Sequence, residues 1–217
     1  MTETDSRKKA IRAEGSEVKR LESLWSGEFG DQYVHRNAAA EKGREAFWRQ
    51  LLGSTRPESV LEVGCNLGGN LRWVADAVPE REVFGIDINE CALEELRSRL
   101  PRVNALWGSA RDLPFRDRRF DLVFTMGVLI HQSPAVLPLV MAEIVRCSRR
   151  YVLCGEYHAD ELTEVPYRGH RGALWKRDFG GYYQELFPEL VLRDQGFLPR
   201  GEGSWDDVTY WLFEMNR

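Results

Sequence analysis

The chain has 217 residues, of which 43% are hydrophobic and 29% charged, with a formal net charge of −4. This composition predicts one compact domain and lacks the broad basic field that nucleic-acid binding requires. No apolar run approaches the roughly 20 residues of a membrane span, and the charged N-terminus lacks the apolar region of a signal peptide. The four cysteines form no CxxC pair and no metal spacing. We therefore expect a cytoplasmic protein with neither a nucleic-acid nor a membrane partner and without a bound metal.

Residues 1–52 are predicted to form an N-terminal arm and a helical lid. Apolar residues recur at helical spacing from about residue 16 to residue 52, and the glycine-hinged segment GEFGDQYVHRN interrupts them. A hinged helix that carries Tyr33 and Arg36 is expected to close over a ligand and exclude water. A surface helix with Tyr33 packed and Arg36 solvated is the alternative.

Residues 53–217 alternate between short apolar strands and helices. Such alternation is typical of a parallel sheet covered on both faces, and right-handed crossovers then give a doubly wound α/β fold. Two C-terminal strands are predicted to add an antiparallel edge. The expected fold is therefore α/β, with a doubly wound, seven-stranded, mostly parallel sheet and an N-terminal helical lid. The predicted strands are 59–65, 82–88, 103–109, 119–130, 149–157, 190–200 and 206–217.

The loop after the first predicted strand reads LEVGCNLGGNL. Open α/β sheets bind ligands at the carboxyl ends of their strands, and Gly64 lets the backbone approach a ligand closely. Asp87, at the end of the second strand, can accept hydrogen bonds from ribose hydroxyls. Asn66 stands where a dinucleotide fingerprint has its second glycine, and Glu62 suits a cationic sulfonium and an amino group better than a pyrophosphate. A tight turn with a helix cap is the structural alternative.

Four segments, VLEVGCNLGGN, VFGIDIN, GSARDLPF and FDLVFTMGVLIH, resemble class I S-adenosylmethionine-dependent methyltransferases over about residues 58–158. The resemblance implies a Rossmann-like methyltransferase fold with S-adenosyl-L-methionine as the cofactor. It implies a methionine site at Glu62, Gly64 and Asn66, a ribose site at Asp87, and adenine contacts at Ile88, Ser109 and Ala110. Many members have Asp at the Ser109 position, where it contacts the adenine amino group. In this chain we expect Ser109 or Asp112 to make that contact. Met126 and the lid residues Tyr33 and Arg36 complete the expected cofactor site, with Arg36 binding the methionine carboxylate.

A narrower resemblance links GEFGDQYVHRN, CNLGGNL, GVLIHQSP and ALWKRDFG to the methylases associated with pseudaminic acid biosynthesis. That name is a genomic association and implies little about the acceptor. His131 follows the fourth strand and is expected to act as a general base, the alternative being a histidine that packs on the cofactor or fixes the loop. Glu156 is the second candidate catalytic residue, with a solvated strand end as its alternative. Tyr157 and His158 follow it and are expected to contact substrate.

The segment YRGHRGALWKRDFGG lies in a predicted substrate insertion at about 159–187. Its cations suggest an anionic group on a small acceptor, such as a sugar, amino-acid or natural-product intermediate. A core position for Trp175 and an ion pair for Arg177 are the alternatives. Two other functions stay open, namely a non-methylating displacement such as ring closure and a non-catalytic regulator. The expected substrate contacts in this segment are Tyr167, Arg168, Arg171, Trp175, Lys176 and Arg177.

Overall fold

The computed structural model describes residues 3–36, 43–201 and 204–216, with the backbone alone for residues 3–14 and residue 80. Parts of the predicted arm, lid and C-terminal hairpin therefore lie outside the described residues, namely 1–2, 37–42, 202–203 and 217. Among the described residues, no helix combines the length and the apolar character needed to cross a membrane.

A seven-stranded sheet forms the centre of the molecule. Its strands are β1 (Val60–Val63), β2 (Val83–Asp87), β3 (Asn104–Trp107), β4 (Phe120–Met126), β5 (Ser148–Glu156), β8 (Leu190–Leu198) and β9 (Val208–Met215). The strand order is β3-β2-β1-β4-β5-β9-β8. β1 to β5 are parallel, whereas β9 runs antiparallel to β5 and β8 antiparallel to β9. The predicted doubly wound, mostly parallel sheet with an antiparallel edge is confirmed.

Helices cover both faces of this sheet. They are α1 (Glu3–Ser26), α2 (Glu28–Arg36), α3 (Glu45–Thr55), α4 (Leu71–Ala75), α5 (Glu90–Arg99), α6 (Leu137–Cys147) and α7 (Phe179–Leu186). Helices α6 and α7 pack in one apolar core, and α3, α4 and α5 pack in the other. Neighbouring residues of β4 serve opposite cores, with Val123 in the first and Phe124 in the second, because successive strand side chains point to opposite faces.

Two predicted helices differ from the structure. After the first strand the sequence predicts a helix over about 68–78, but the structure has only the short α4, since residues 66–70 stay in the loop after β1. The sequence also predicts a helix from Trp175 to about Phe187. In the structure this helix begins only at Phe179, where Asp178 accepts a hydrogen bond from the Gly181 amide at 2.9 Å. Asp178 is a good N-cap residue, so the sequence did carry this signal. Trp175–Lys176 instead form β7, which pairs antiparallel with β6 (Thr163–Glu164).

The N-terminal helices α1 and α2 are separated by a single residue, Gly27, rather than by a long interruption. The bend needs a glycine at position 30, since a Cβ there would lie 1.8 Å from the Trp25 carbonyl oxygen. Asn89, the N-cap of α5, holds the bend by donating to the Trp25 carbonyl at 3.0 Å and to Asp31 at 2.9 Å. These bonds tie the two helices to the carboxyl edge of the sheet.

Candidate functional site

A deep cleft opens at the carboxyl ends of β1, β2 and β4. Strand order reverses between β1 and β4, and such a switch point is where open α/β sheets bind their ligands. The cleft holds about 1470 Å³ of empty space, including its open mouth. Loops after the parallel strands form its floor and walls, and residues of α1 and α2 contribute its roof.

Most of the expected cofactor residues line this cleft together. Those that line it are Tyr33, Glu62, Gly64, Asn66, Asp87, Ile88, Ser109, Ala110 and Met126, and His131 joins them. Arg36 lies outside the cleft, which corrects its expected placement. It is exposed at the end of α2, and its guanidinium lies 5.8 Å from the Phe29 ring centre and 5.9 Å from that of Tyr33. Helix α2 thus points Tyr33 inward and Arg36 outward.

Glu62 is the most unusual group in the cleft. Its side chain belongs to a residue only 2% exposed, and its Oε1 accepts a hydrogen bond from Asn70 Nδ2 at 2.7 Å. The other oxygen, Oε2, is buried without a hydrogen-bond partner. Burial raises the pKa of this carboxyl to about 8, against the opposing effects of Asn70 and Arg44. An unpaired buried carboxylate oxygen is costly, so its presence indicates a binding position for a donor group.

Arg44 and Asn70 extend the Glu62 interaction into a chain of side chains. Arg44 Nη1 donates to Asn70 Oδ1 at 2.8 Å, and Arg44 Nη2 donates to the Ser204 carbonyl at 3.0 Å. The Arg44 guanidinium also stacks 4.2 Å from the Trp205 ring centre, while its Nε is buried without a partner. Sequence reasoning missed both residues. Asn70 stood directly after GG in the loop motif, whereas nothing local marked Arg44.

Asp87 holds the other side of the same loop. Its two oxygens accept from the backbone amides of Asn66 at 2.8 Å and Asn89 at 2.9 Å. Burial raises its pKa, and these backbone bonds counteract that effect. Gly64 adopts φ +74°, and a Cβ there would lie 2.4 Å from the Val128 side chain. The loop therefore requires glycine at 64 and presents Asp87 with both oxygens fixed.

Glu156 has a different surrounding from the one expected of a catalytic acid. It is fully buried, and its carboxylate accepts three backbone N–H groups. These belong to Val128 (3.2 Å), Leu129 (3.1 Å) and Ile130 (3.2 Å) in the loop after β4. Glu156 does not line the cleft. Because its oxygens are occupied by the backbone, it fixes this loop and, with it, the position of the next residue, His131.

His131 lies in a short 3-10 helix, Leu129–His131, at the cleft wall. Its Nδ1 is 2.7 Å from the Ala173 carbonyl oxygen. A carbonyl can only accept, so Nδ1 carries the proton and Nε2 holds a lone pair. The ring packs 4.3 Å from Trp25 and 5.2 Å from Tyr167, centre to centre. Burial lowers its pKa to about 4, which keeps the imidazole neutral and makes it a weak base.

None of the residues expected to contact substrate lines the cleft. His158, Arg168 and Arg171 are exposed. Lys176 lies 5.5 Å from the Tyr157 ring centre, and Arg177 stacks 3.3 Å from that of Tyr182.

Trp175 is buried against Leu21 and Ala173, and Tyr167 packs on Trp25, Phe29 and His131. The structure therefore gives Trp175 its alternative, packed position. Arg177 forms a ring contact with Tyr182, and no ion pair, its alternative, joins it to another described residue.

The matching family model is a methyltransferase domain, and it covers residues 60–150. Over 132 residues the chain is 33% identical to demethylmenaquinone methyltransferase from Tropheryma whipplei, a match that covers 58% of this chain and 54% of that protein. Over 87 residues it is 32% identical to a probable S-adenosylmethionine-dependent methyltransferase from Mycolicibacterium smegmatis, covering 40% and 33%. The chain thus spans less than two thirds of the length of either relative.

Two solved structures share the fold over nearly the whole chain. One is 1,6-didemethyltoxoflavin-N1-methyltransferase from Burkholderia thailandensis with bound S-adenosylhomocysteine, at TM-score 0.67 and 19% identity, covering 97% of this chain and 90% of that one. The other is magnesium protoporphyrin IX methyltransferase from Synechocystis with bound S-adenosylmethionine, at TM-score 0.66 and 10% identity, covering 92% and 97%. At these identities the likeness is one of fold.

Proposed function

We propose that this chain is a class I S-adenosylmethionine-dependent methyltransferase that transfers a methyl group to a small-molecule acceptor. The methyltransferase domain matched at residues 60–150 and the shared fold support the proposal. The observation that carries the proposal is the buried, unpartnered oxygen of Glu62 beside the paired carboxylate of Asp87. A ligand in which an amino acid is joined to a nucleoside has an ammonium group that could meet Glu62 and a ribose diol that could meet Asp87. S-adenosylmethionine would supply the methyl group as the electrophilic carbon of a sulfonium.

The donors and acceptors in the cleft fit that cofactor. Glu62 Oε2 would accept from the ammonium, and Arg44, whose Nε is buried without a partner, would meet the carboxylate. Asp87 would accept from the ribose hydroxyls with lone pairs that the backbone amides leave open. Methyl transfer is an in-line displacement, which depends chiefly on alignment and on exclusion of water. Trp25 and Tyr33 supply that exclusion from the roof.

His131 is the proposed contact for the acceptor. Its Nε2 lone pair would receive a hydrogen bond from an acceptor hydroxyl or amine and orient the attacking atom. With a pKa lowered to about 4, it would assist by orientation more than by removing a proton at neutral pH. Glu156 acts as a positioning residue in this proposal, because its carboxylate accepts hydrogen bonds from the Leu129 and Ile130 amides and so fixes the turn that precedes His131.

The finer identity of the acceptor is part of the proposal as well. An anionic metabolite is supported by Arg168 and Arg171, which are exposed and form no ion pair with any described residue. The link to the methylases associated with pseudaminic acid biosynthesis rests on the motifs GVLIHQSP and ALWKRDFG. A cytoplasmic setting is supported by four free cysteines. The narrower assignments require an identified acceptor.

Calorimetric titration with S-adenosylhomocysteine tests the cofactor site. Wild-type protein should bind it, and Asp87→Ala should bind at least about tenfold more weakly because the ribose loses a charged acceptor. Asp112→Ala is the matched control, since this nearby carboxylate is exposed and outside the cleft. Absence of binding to the wild type would overturn the proposal.

Transfer itself is tested with S-adenosylmethionine that carries a trideuterated methyl group. The protein is incubated with panels of anionic and neutral small molecules, and products are followed by mass spectrometry. A labelled product that forms with wild type but not with Asp87→Ala supports methyl transfer. If an acceptor is found, Arg168→Ala and Arg171→Ala should raise KM for an anionic acceptor and leave cofactor affinity unchanged, with the exposed Arg116→Ala as control.

A further inference from the structure

Three carboxylates among the described residues line the cleft, and the proposed function uses two of them. Glu62 and Asp87 lie at the ends of neighbouring strands. The third, Glu22, belongs to the roof helix α1 and its side chain is 29% exposed. A carboxylate that lines a ligand cleft weakens ligand binding unless the ligand donates a hydrogen bond to it, because an acceptor left without a hydrogen bond costs free energy.

Glu22 spans the cleft to the loop after β3. Its Oε1 accepts from Ser109 Oγ at 2.8 Å, from Arg111 Nε at 3.0 Å and from Arg111 Nη2 at 2.6 Å. All three bonds end on the same oxygen. Oε2 accepts none from any described residue. The carboxylate is therefore fixed in orientation, with one oxygen available as an acceptor.

Glu22 reaches the loop after β3, where the base of a nucleoside would lie if Asp87 held its ribose. The Gly108 amide donates to the Asp87 carbonyl at 3.0 Å, so the loop that holds Ser109 begins directly beside the proposed ribose site. Apolar side chains suited to a flat ring also line the cleft, namely Val18, Leu21, Ile88, Ala110 and Val136. Asp112, which the sequence suggested as the acidic group for this position, is exposed and lies outside the cleft.

We infer that Glu22 Oε2 accepts a hydrogen bond from the exocyclic amine of the cofactor's adenine, so that the roof helix reads the base. This inference rests on the proposed function, since it needs an adenosyl ligand in the cleft. A base with an oxo group in place of the amine would set an acceptor against the carboxylate and be rejected. Ser109 and Arg111 act as positioning residues, because they hold Oε1 by hydrogen bonds. The bond from adenine to Oε2 would add a contact between the ligand and α1.

Paired ligands test this assignment. S-adenosylhomocysteine and its deaminated counterpart, S-inosylhomocysteine, are titrated by calorimetry into wild-type protein, Glu22→Gln and Glu17→Gln. Wild type should prefer the adenosyl compound by at least about tenfold, the size expected for one hydrogen bond to a charged group. Glu22→Gln should bring the two affinities within about threefold, because a carboxamide can rotate to donate to the oxo group. Glu17→Gln removes a carboxylate from the same helix that pairs with Arg20 outside the cleft, and should keep the wild-type preference.

The outcomes separate the inference from the function on which it rests. If wild type binds neither compound, the proposed function fails. If wild type binds both equally, or if Glu22→Gln keeps the wild-type preference, the base-reading role of Glu22 is overturned. If Glu22→Gln weakens both ligands by the same factor, Glu22 serves only to latch α1 to the loop after β3, and the inference is equally overturned.

Discussion

The loops after β1 and β4 each depend on a buried glutamate, and the two glutamates differ in one respect. Glu62 and Glu156 are 2% and 0% exposed, and burial raises the pKa of the first to about 8 and of the second to about 7. Glu156 accepts three backbone N–H groups, whereas Glu62 accepts one side-chain amide and keeps an oxygen without a partner. Burial and a raised pKa are therefore common to both glutamates, and the proposed binding role of Glu62 rests on its unfilled hydrogen-bond capacity.

The largest expected difference between the two regions is in cofactor affinity. If Glu62 binds the cofactor ammonium as proposed, Glu62→Gln should weaken binding of S-adenosylhomocysteine by about 10- to 100-fold, because an amide replaces the carboxylate charge. Calorimetric titration measures this loss. Glu156→Gln is the matched variant and should change affinity by less than about threefold. Equal losses in the two variants would erase the proposed distinction.

The second difference should appear in the free energy of unfolding, where Glu156→Gln should have the larger effect. Glu156→Gln sets an NH₂ group against a backbone N–H and should lower the free energy of unfolding by about 1–3 kcal/mol. Glu62→Gln should leave it unchanged or raise it near pH 8, since a buried unpaired charge is removed. Denaturant unfolding of the ligand-free protein measures both values. A stabilised Glu156→Gln variant would contradict the structural role of Glu156.

The pH dependence of stability separates the two carboxyls further. Each has a folded-state pKa above its unfolded value of 4.5, so the folded state holds more protons and stability falls as pH rises. For Glu156 the free energy of unfolding declines between about pH 4.5 and pH 7, and for Glu62 between about pH 4.5 and pH 8. The slope for each group is at most about 1.4 kcal/mol per pH unit.

His131, with its pKa lowered to about 4, acts in the opposite direction and only below its unfolded value of 6.5. The interval from pH 7 to 8 thus isolates Glu62. Denaturant unfolding at several pH values should show a decline there in wild type and Glu156→Gln. A decline of the same slope in Glu62→Gln would assign it to another group.

The smallest expected effect concerns the coupling of Glu156 to His131. If Glu156 acts by holding the loop, His131→Ala and Glu156→Gln should lower acceptor turnover by about three- to tenfold each, and the double variant by little more than His131→Ala alone. Turnover is measured with whichever acceptor the labelled-methyl screen identifies. Multiplied effects in the double variant would mean that the two residues act independently. Wild-type turnover in His131→Ala would exclude a role for His131 in the reaction.

Sequence patterns predicted the fold because the relevant signals are local. The alternation of apolar strands and helices predicted the parallel sheet, and the C-terminal pair was correctly assigned to an antiparallel edge. The glycine at 64 and acids at 62 and 87 predicted where the cleft would form. The packing of the segment YRGHRGALWKRDFGG was not predictable, since Trp175 packs against Leu21 of α1, more than 150 positions earlier.

By itself, therefore, the sequence determined the sheet, the switch point and the two strand-end acids in the cleft, since periodicity and glycine placement act over a few residues. Only the tertiary structure decided which acid has an unfilled oxygen, that Arg44 rather than Arg36 lines the cleft, and that Glu22 reaches Ser109. Those outcomes depend on hydrogen bonds between residues far apart in the chain, such as the 87 positions between Glu22 and Ser109. Hydrogen-bond satisfaction is a property of the packed molecule, and no local pattern encodes it.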